Sequence, residues 1–299
     1  MTFTSTAGAV GLIGIGAMGW PMALNLHRRG LAPMVRDIDP LAVARAAGQG
    51  LAVAESAAAL AARCAVLVVV VVDAAQIDEV LFGPDGVVQA LPPAGAPQTV
   101  LLCSTIAPED TERFSLRLAA QGRATVDAPI SGGPARAGRG ELSMMVAAAR
   151  EDRERVDPLL GLMASVVHDV GVRVGDAARV KLVNNLLAGI NLVAGAEAIA
   201  LGRRLGLDPN LLLKVIDASS GGSWIVADRM PRALAGDYAP RARASILAKD
   251  LRLAVAMAQQ AGAATALGDQ ALAVFCATVA AGRGDEDDAS VLRTLYPDF

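Results

Sequence analysis

A closely spaced set of glycines near the N-terminus could bind a phosphate group. Gly14, Gly16 and Gly19 follow a run of apolar, strand-forming residues and precede a segment of helical period. The first glycine of such a turn permits a tight bend, the second lets the backbone approach a pyrophosphate, and the third allows close helix packing. Amides at the helix N-terminus then face the anion. The predicted cofactor-binding residues of this turn are Gly14, Gly16, Ala17, Met18 and Gly19.

An acidic residue after the next predicted strand could contact the ribose of the same cofactor. Asp37 lies 18 residues after Gly19, the spacing at which a carboxylate accepts hydrogen bonds from the ribose hydroxyls of NAD. A carboxylate would repel the 2′-phosphate of NADP, although the neighbouring Arg36 could bind that phosphate. We therefore expect NAD as the cofactor, with NADP as a possible alternative.

Two further segments contain residue types suited to anion binding and proton transfer. In Ser131-Gly132-Gly133, a hydroxyl and backbone amides freed by glycine could form a nest for an anion, although an ordinary glycine-rich turn is the alternative. Lys181 and Asn185 are four residues apart and share one face of a predicted helix. A lysine in the first turns lies at the positive end of the helix dipole, which disfavours its charged form. Lys181 could therefore transfer protons near neutral pH.

The first half of the chain predicts a sheet that would position these residues. Between Val10 and about Val170, short β-branched runs alternate with Ala- and Leu-rich segments of helical period. This alternation is typical of βαβ units that build a parallel sheet. The predicted strands are Val10 to Ile15, Pro33 to Arg36, Val66 to Val72, Thr99 to Cys103, Ala124 to Asp127, Leu142 to Val146 and Val166 to Val170.

The second half predicts helices alone, because the strand signal stops after Gly175. Asp176 to Leu205 is predicted as one long helix, with Asp176 as its N-cap and Gly206 as its C-terminal stop. The acidic run Asp285 to Asp288 is predicted to be a solvated turn. Further helices are predicted at Pro209 to Ala218, Ser223 to Leu234, Ser245 to Ala261 and Thr265 to Ala280.

Four segments together resemble the β-hydroxyacid dehydrogenase family. They are Gly19 to Leu26, Asp127 to Gly133 with its continuation Gly140 to Ser143, Gly175 to Asn185, and Ile246 to Leu251. The resemblance runs along nearly the whole chain. It implies reversible, NAD-dependent hydride transfer between a nicotinamide cofactor and a small hydroxy acid or its semialdehyde or keto form. Gly221 to Trp224 and Asp237 to Pro240 are most similar to threonate-type members, which act on four-carbon sugar acids. Simple packing of Trp224 and Tyr238 between helices is the alternative.

The resemblance also implies roles for individual residues. Lys181 would take the proton from the substrate hydroxyl as a general acid/base, and Asn185 would orient that hydroxyl or the lysine. For Lys249, a surface salt bridge is the alternative to a role in the site. The implied residues are Lys181 and Asn185 for catalysis, Ser131, Gly132, Gly133 and Lys249 for substrate binding, and Thr105 and Lys249 for cofactor binding.

The expected fold class is α/β, with two domains. A Rossmann-type doubly wound sheet would form an NAD(P)-binding domain from residue 1 to 173. An all-α domain for substrate binding and oligomerisation would follow from 174 to 299, led by a long interdomain helix. The resemblance and the Ala-rich C-terminal helices predict a homo-oligomer, a dimer or a tetramer.

Composition limits the other partners. Of the 299 residues, 27 are basic and 30 acidic, which gives a net charge of −3 without a basic stripe, so a nucleic acid is not expected. The longest apolar run, Ala65 to Val72, is shorter than the ~20 residues of a membrane helix, so no membrane is expected. Three scattered cysteines, and the lack of a basic leader over Met1 to Val10, favour the cytoplasm. The two histidines lack ligand spacing, so no metal site is expected.

Two other functions are compatible with the same fold. One is a dinucleotide-binding module without catalytic activity, because a fold does not guarantee a reaction. The presence of Lys181 with Asn185 argues against that module. The other is a reductase that acts on imines, and the anion-binding segment at Ser131 argues against such a neutral substrate.

Overall fold

The computed structural model describes residues 9–94 and 97–299, which form two compact units that divide between Lys181 and Leu182. The expected boundary after residue 173 lies slightly earlier, in the segment that precedes the long helix. Most of the segment inspected for a leader, residues 1–8, lies outside the described residues.

A mixed β-sheet organises the first unit. Along the order β3-β2-β1-β4-β5-β6 the strands run parallel, which is a Rossmann-type arrangement and confirms the predicted fold class. The predicted parallel sheet continues at one side with mixed pairing, because β8 runs antiparallel to β6 and β7 and parallel to β9. The strands are β1 (Val10–Ile13), β2 (Met34–Arg36), β3 (Ala52–Val53), β4 (Val66–Val69), β5 (Thr99–Leu102), β6 (Ala124–Asp127), β7 (Ile130–Ser131), β8 (Leu142–Ala147) and β9 (Ala164–Gly171).

The central strands are buried on both faces, which explains their apolar runs. Leu12 and Val68 enter one apolar cluster, whereas the adjacent Ile13 and Leu67 enter another. All seven predicted strands are confirmed, with ends that shift by a few residues. The sequence does not predict β3 and β7, because two residues are too few to display an alternation.

Helices connect the strands of the first unit. Because β1, β2, β4, β5 and β6 are parallel, their carboxyl ends lie at one edge of the sheet. The strand order reverses between β1 and β4, and ligands of doubly wound sheets bind at such a reversal. The helices are α1 (Gly19–Arg28), α2 (Pro40–Gly48), α3 (Ala57–Ala61), α4 (Ala74–Phe82), α5 (Pro108–Ala119), α6 (Gly133–Arg139) and α7 (Arg150–Met163).

A long helix, α8 (Asp176–Arg204), begins in the first unit and continues into the second. Its predicted end is confirmed, because Gly206 has a φ of +81° and the Leu207 amide donates to the Gly202 carbonyl at 3.0 Å. The prediction of Asp176 as N-cap is wrong. Asp176 is the first helical residue, and its carboxylate accepts hydrogen bonds from arginines instead.

In the described part of the chain, α8 is the one helix long and apolar enough to cross a membrane by length and composition. Its most apolar stretch of 18 residues has a mean hydropathy of 1.4, and half of that stretch is buried inside the protein. The core helix of a folded domain passes the same test. No long uninterrupted apolar run marks α8 in the sequence, because polar residues such as Lys181 and Asn185 interrupt it.

The second unit consists of helices around its own apolar core, which includes Leu192, Leu247 and Phe275. The four further helices predicted from the sequence are confirmed, and a short fifth helix follows them. The helices after α8 are α9 (Pro209–Asp217), α10 (Trp224–Leu234), α11 (Ala244–Gln260), α12 (Ala266–Thr278) and α13 (Val291–Leu295).

The acidic run Asp285 to Asp288 before α13 is only in part the solvated turn that the sequence predicts. The Asp285 side chain is 90% exposed, but the prediction is wrong for the last two residues. Asp287 and Asp288 are almost completely buried, and Arg229 Nε of α10 donates to Asp288 Oδ1 at 2.8 Å. Asp287 Oδ2 accepts the Arg241 amide at 2.7 Å. Burial raises the pKa of Asp288 to about 7 even though Arg229 lowers it. The ion pair between Arg229 and Asp288 therefore joins α10 to the segment before α13.

Candidate active site

The glycine turn has the geometry expected of a phosphate-binding turn. Gly14 has a φ of +88°, which other residues rarely adopt, and its amide donates to the Arg36 carbonyl at 2.9 Å. A side chain at Gly19 would clash with the Gly14 carbonyl oxygen, so Gly19 allows α1 to start against β1. A side chain at Gly16 would meet no protein atom within 4 Å. Chain packing therefore does not require a glycine at position 16, whereas a pyrophosphate approaching the backbone does.

Ala17 and Met18 complete this turn, and Asp37 holds it in place. The Ile15 amide donates to Asp37 Oδ2 at 2.7 Å, and the Asp39 amide donates to Oδ1 at 2.9 Å. The carboxylate thus follows β2 at the carboxyl edge of the sheet, beside the turn that follows β1. Amide donors on the turn and a carboxylate acceptor beside it fit a dinucleotide whose ribose carries no 2′-phosphate.

Arg45 is a residue of this turn that the sequence pattern does not reveal. From α2, its guanidinium donates to the Ile15 carbonyl at 2.9 Å and lies 4.1 Å from the ring centroid of Trp20. No motif marks this residue, since the contact depends on how α2 packs beside the turn. It places a positive charge close to the predicted phosphate site.

Two hydroxyl residues follow β5 at the same edge of the sheet. Ser104 is buried, and its Oγ accepts the Val71 amide at 3.1 Å, which ties the segment after β5 to the segment after β4. Thr105, the predicted cofactor-binding residue, is half-buried directly after Ser104. Its place at the carboxyl end of a parallel strand is where cofactor contacts arise in this type of sheet.

The predicted anion-binding segment contains two adjacent glycines with left-handed φ angles. Gly132 has a φ of +131° and Gly133 a φ of +73°, and this pair of conformations is costly for residues with a side chain. Ser131 lies in β7, just before the two glycines, and is half-buried. The two glycines are therefore needed for this bend of the backbone, and their amides follow directly after Ser131.

The start of α8 is held from β6, and it carries the predicted catalytic lysine. Asp127 Oδ2 accepts the Gly175 amide at 2.9 Å and the Ala178 amide at 3.0 Å. Burial raises the pKa of Asp127 to about 6, although backbone hydrogen bonds lower it. Lys181 follows three residues after Ala178 and is only 7% exposed. Lysine is rarely buried without a structural or chemical reason.

In the second unit, the other predicted polar residues lie close together. Asn185 Nδ2 donates to Asp250 Oδ2 at 2.7 Å, and Lys249 Nζ lies 2.7 Å from Asp250 Oδ1. Asp250 is 3% exposed, so the salt bridge of Lys249 is formed with a buried partner. Gly189, one turn after Asn185 on α8, lies against Leu251 of α11. The sequence motif contains Asp250, but only the structure shows that it holds Asn185.

Within residues 9–94 and 97–299, no group of three or more His, Cys, Asp or Glu side chains could hold a metal ion. Cys64, Cys103 and Cys276 are free thiols.

Comparisons with known proteins match both parts of the chain. Residues 9–171 match the family model described as the NAD binding domain of 6-phosphogluconate dehydrogenase. Residues 175–295 match the model described as NAD-binding of NADP-dependent 3-hydroxyisobutyrate dehydrogenase.

Curated relatives and solved structures match over nearly the full length. The chain is 38% identical over 288 residues to an L-threonate dehydrogenase of Cupriavidus necator, with 96% of each chain covered. It is 35% identical to a 3-hydroxyisobutyrate dehydrogenase of Pseudomonas aeruginosa, over 96% of this chain and 98% of that relative. A crystal structure of 3-hydroxyisobutyrate dehydrogenase from Salmonella typhimurium has a TM-score of 0.87 at 34% identity, covering 96% of this chain and 99% of that one.

Proposed function

The chain belongs to the β-hydroxyacid dehydrogenase family, and from this premise we propose which residues carry its reaction and which substrate it uses. It is an NAD(P)-dependent oxidoreductase that acts on CH–OH groups, as the sequence predicts. The cofactor, when bound, supplies the hydride acceptor in oxidation and the hydride donor in reduction.

The two parts of the chain have different tasks in this proposal. Residues 1–173 bind the cofactor, through the glycine turn with Ala17 and Met18, through Asp37, and through Thr105 beside the nicotinamide. Residues 174–299 contribute to substrate binding and to oligomerisation. The observation in favour of cofactor binding is the open space at Gly16, where a pyrophosphate could approach the backbone.

Lys181 is the proposed general acid/base. In oxidation its Nζ takes the proton from the substrate hydroxyl, and in reduction it returns that proton. The observation that carries this assignment is the burial of Lys181 in the first turns of α8, where the helix dipole disfavours a positive charge. Only three of the 27 basic residues are lysines. Lysine can release its proton whereas arginine cannot, so a lysine at position 181 fits proton transfer.

The remaining polar residues bind and orient the substrate. The Ser131 hydroxyl and the amides of Gly132 and Gly133 donate hydrogen bonds to the substrate carboxylate, and glycine permits the backbone angles of this segment. Asn185 orients the reacting hydroxyl or the lysine. Lys249 contacts the substrate or cofactor while it pairs with Asp250.

We propose NAD over NADP, because the Asp37 carboxylate would repel a 2′-phosphate. The Ile15 and Asp39 amides fix the position of that carboxylate beside the turn. Arg36 and Arg45 are the nearby cations that would favour NADP.

For the substrate we propose a four-carbon sugar acid of the threonate type. The similarity over 96% of the chain to an L-threonate dehydrogenase supports this class, as does the segment around Trp224, which is more than half exposed. Tyr238 instead packs against the core of the second unit, which favours a structural role for that residue. A 3-hydroxyisobutyrate-type acid is the second candidate, supported by the relative from Pseudomonas aeruginosa.

We also propose that the enzyme is a homo-oligomer, a dimer or a tetramer, in the cytoplasm. A row of apolar side chains along α8, including Val183, Leu187 and Leu201, is more than half exposed in the single chain, and such a face favours a second copy. Free thiols are consistent with a reducing compartment. Light scattering after size exclusion would measure the mass of the assembly, and a mass of one chain would contradict the proposal.

The test of the proposed function is turnover with NAD and NADP across a panel of four-carbon sugar acids and 3-hydroxy acids, followed by NADH or NADPH absorbance. We expect the highest kcat/KM with L-threonate and NAD. Higher kcat/KM with 3-hydroxyisobutyrate would favour the second candidate.

A further inference from the structure

Asp127 is a buried carboxylate that the proposed reaction does not yet use. It ends β6, and the anion-binding segment that starts at Ser131 follows four residues later. Its side chain accepts the amides of Gly175 and Ala178, and Ala178 precedes Lys181 by less than one turn of α8. One carboxylate thus joins the chain that leads to the anion-binding segment with the helix that carries the lysine.

This arrangement differs from the aspartate caps of α2 and α9. Asp39 and Asp208 cap α2 and α9 from the position directly before each helix, and both are exposed. Asp127 lies 48 residues before Gly175, whose amide donates to it, and Asp127 is 1% exposed. Burying a carboxylate is unfavourable, and it raises the pKa of Asp127 to about 6. A neutral capping side chain such as Ser or Asn would accept hydrogen bonds from the same amides without the free-energy cost of a buried charge. The charge of Asp127 therefore suggests a role beyond capping.

The other polar contacts at the start of α8 lie at the surface. Asp176 pairs with Arg173 and Arg179, and Arg179 also pairs with Glu112 at 2.7 Å. These pairs are partly exposed, and ion pairs that water reaches contribute little to the position of a helix. The buried hydrogen bonds to Asp127 are stronger, because they are charge-assisted and lie at the positive end of the helix dipole.

We propose that Asp127 is a positioning residue, whose ionised carboxylate keeps Lys181 in register with the anion-binding segment. This inference rests on the proposed role of Lys181. Asp127 itself contacts neither substrate nor cofactor in this account. A protonated carboxyl group holds the two amides less strongly, so the start of α8 is less well fixed and proton transfer by the lysine is slower.

Two other titratable groups face Asp127. Cys103 follows β5, and burial, with a contribution from the charge of Asp127, raises the pKa of its thiol to about 12. Asp176 lies on α8, and its hydrogen bond with Arg173 lowers its pKa. Neither group changes its charge near pH 6, whereas Asp127 does.

The experiment measures kcat in the direction of reduction against pH, with NADH and the oxidised form of the acid that the enzyme turns over. Lys181 must be protonated in this direction, so acid does not remove its active form. The native enzyme should therefore lose kcat as the pH falls through about 6. Asp127→Asn should lose about tenfold or more in kcat at neutral pH, with the KM for NADH within about twofold, and should lack the fall near pH 6. Asp176→Asn is the matched control, with a half-buried carboxylate in the first turn of α8. It should keep the native kcat at neutral pH and should retain the fall in acid, displaced to a slightly lower pH, because the charge of Asp176 contributes to the raised pKa of Asp127.

Three outcomes distinguish a failure of the positioning role of Asp127 from a failure of the proposed role of Lys181. An Asp127→Asn enzyme with the native kcat and the native pH profile would overturn the positioning role. The absence of any loss of kcat between neutral pH and about pH 5 in the native enzyme would overturn it too, even if the variant does not fold. Native turnover by Lys181→Ala would instead overturn the proposed function on which the inference rests.

Discussion

Removing the Asp250 carboxylate should slow the reaction through Asn185. Asp250 is almost fully buried, and Asn185 Nδ2 donates to it at 2.7 Å. A hydrogen bond to a charged group contributes about 1.5–3 kcal/mol. At ~1.4 kcal/mol for each factor of ten in rate, Asp250→Ala should lower kcat about 10–100-fold if this bond orients Asn185 for catalysis.

The assay is a double-mutant cycle of Asp250→Ala, Asn185→Ala and the two combined. If Asp250 acts through Asn185, the double variant should be no slower than Asn185→Ala, because the hydrogen bond is already absent there. Circular dichroism and thermal unfolding would check that each variant is folded. Asp217→Ala, which removes an exposed carboxylate at the end of α9, should keep the native kcat.

Losses of kcat that multiply in the double variant would refute this reasoning. They would mean that Asp250 contributes independently of Asn185, for example through Lys249. A native kcat in Asp250→Ala would show that the orientation of Asn185 does not limit the reaction.

Three further predictions concern cofactor choice and stability. Asp37→Asn keeps an acceptor for the Ile15 amide but removes the charge, so the ratio of kcat/KM with NADP to that with NAD should rise by about tenfold, and an unchanged ratio would contradict the ribose assignment. Arg229→Met removes the guanidinium that donates to the buried Asp288 at 2.8 Å, so it should lower the free energy of unfolding by about 3–5 kcal/mol. Urea titrations would measure this loss, and a change below about 1 kcal/mol would contradict a stabilising buried ion pair. Folding raises the pKa of Asp127 from 3.8 to about 6, so its buried charge costs about 3 kcal/mol of stability above pH 6 and nothing below pH 3.8. The native protein should therefore gain stability relative to Asp127→Asn as the pH falls across that range. A difference in stability that does not change with pH would contradict this prediction.

Local sequence patterns predict most of this fold, because its elements follow from residues that are close in sequence. The alternation of apolar runs and helical segments predicts seven strands, and Gly206 marks the end of α8. The predictions are wrong where the environment of a residue depends on a partner that is distant in sequence. Asp176 has the sequence signature of an N-cap, but Asp127, 48 residues before Gly175, accepts the amides at this helix start. Asp287 and Asp288, before α13, are buried because Arg229 of α10 pairs with them.

The candidate site shows the same division. The glycine turn and Lys181 are recognisable because each role needs a particular residue type at a particular spacing. The partners of these residues are not recognisable in advance. Asp250 lies 65 residues from Asn185, and Arg45 lies 30 residues from Ile15, so both contacts depend on helix packing. Sequence reasoning thus identifies groups that contact ligands more readily than groups that hold them in place.

The most direct test of the account is the kcat of Lys181→Ala, measured by NADH formation with the sugar acid that gives the highest turnover. The account predicts a loss of at least ~10²-fold, with NAD affinity unchanged, because general acid–base catalysis contributes about 10²–10⁴-fold. Lys214→Ala, at an exposed lysine of α9, is the matched control and should retain native activity. Near-native turnover by Lys181→Ala would contradict the central claim that this buried lysine transfers the proton.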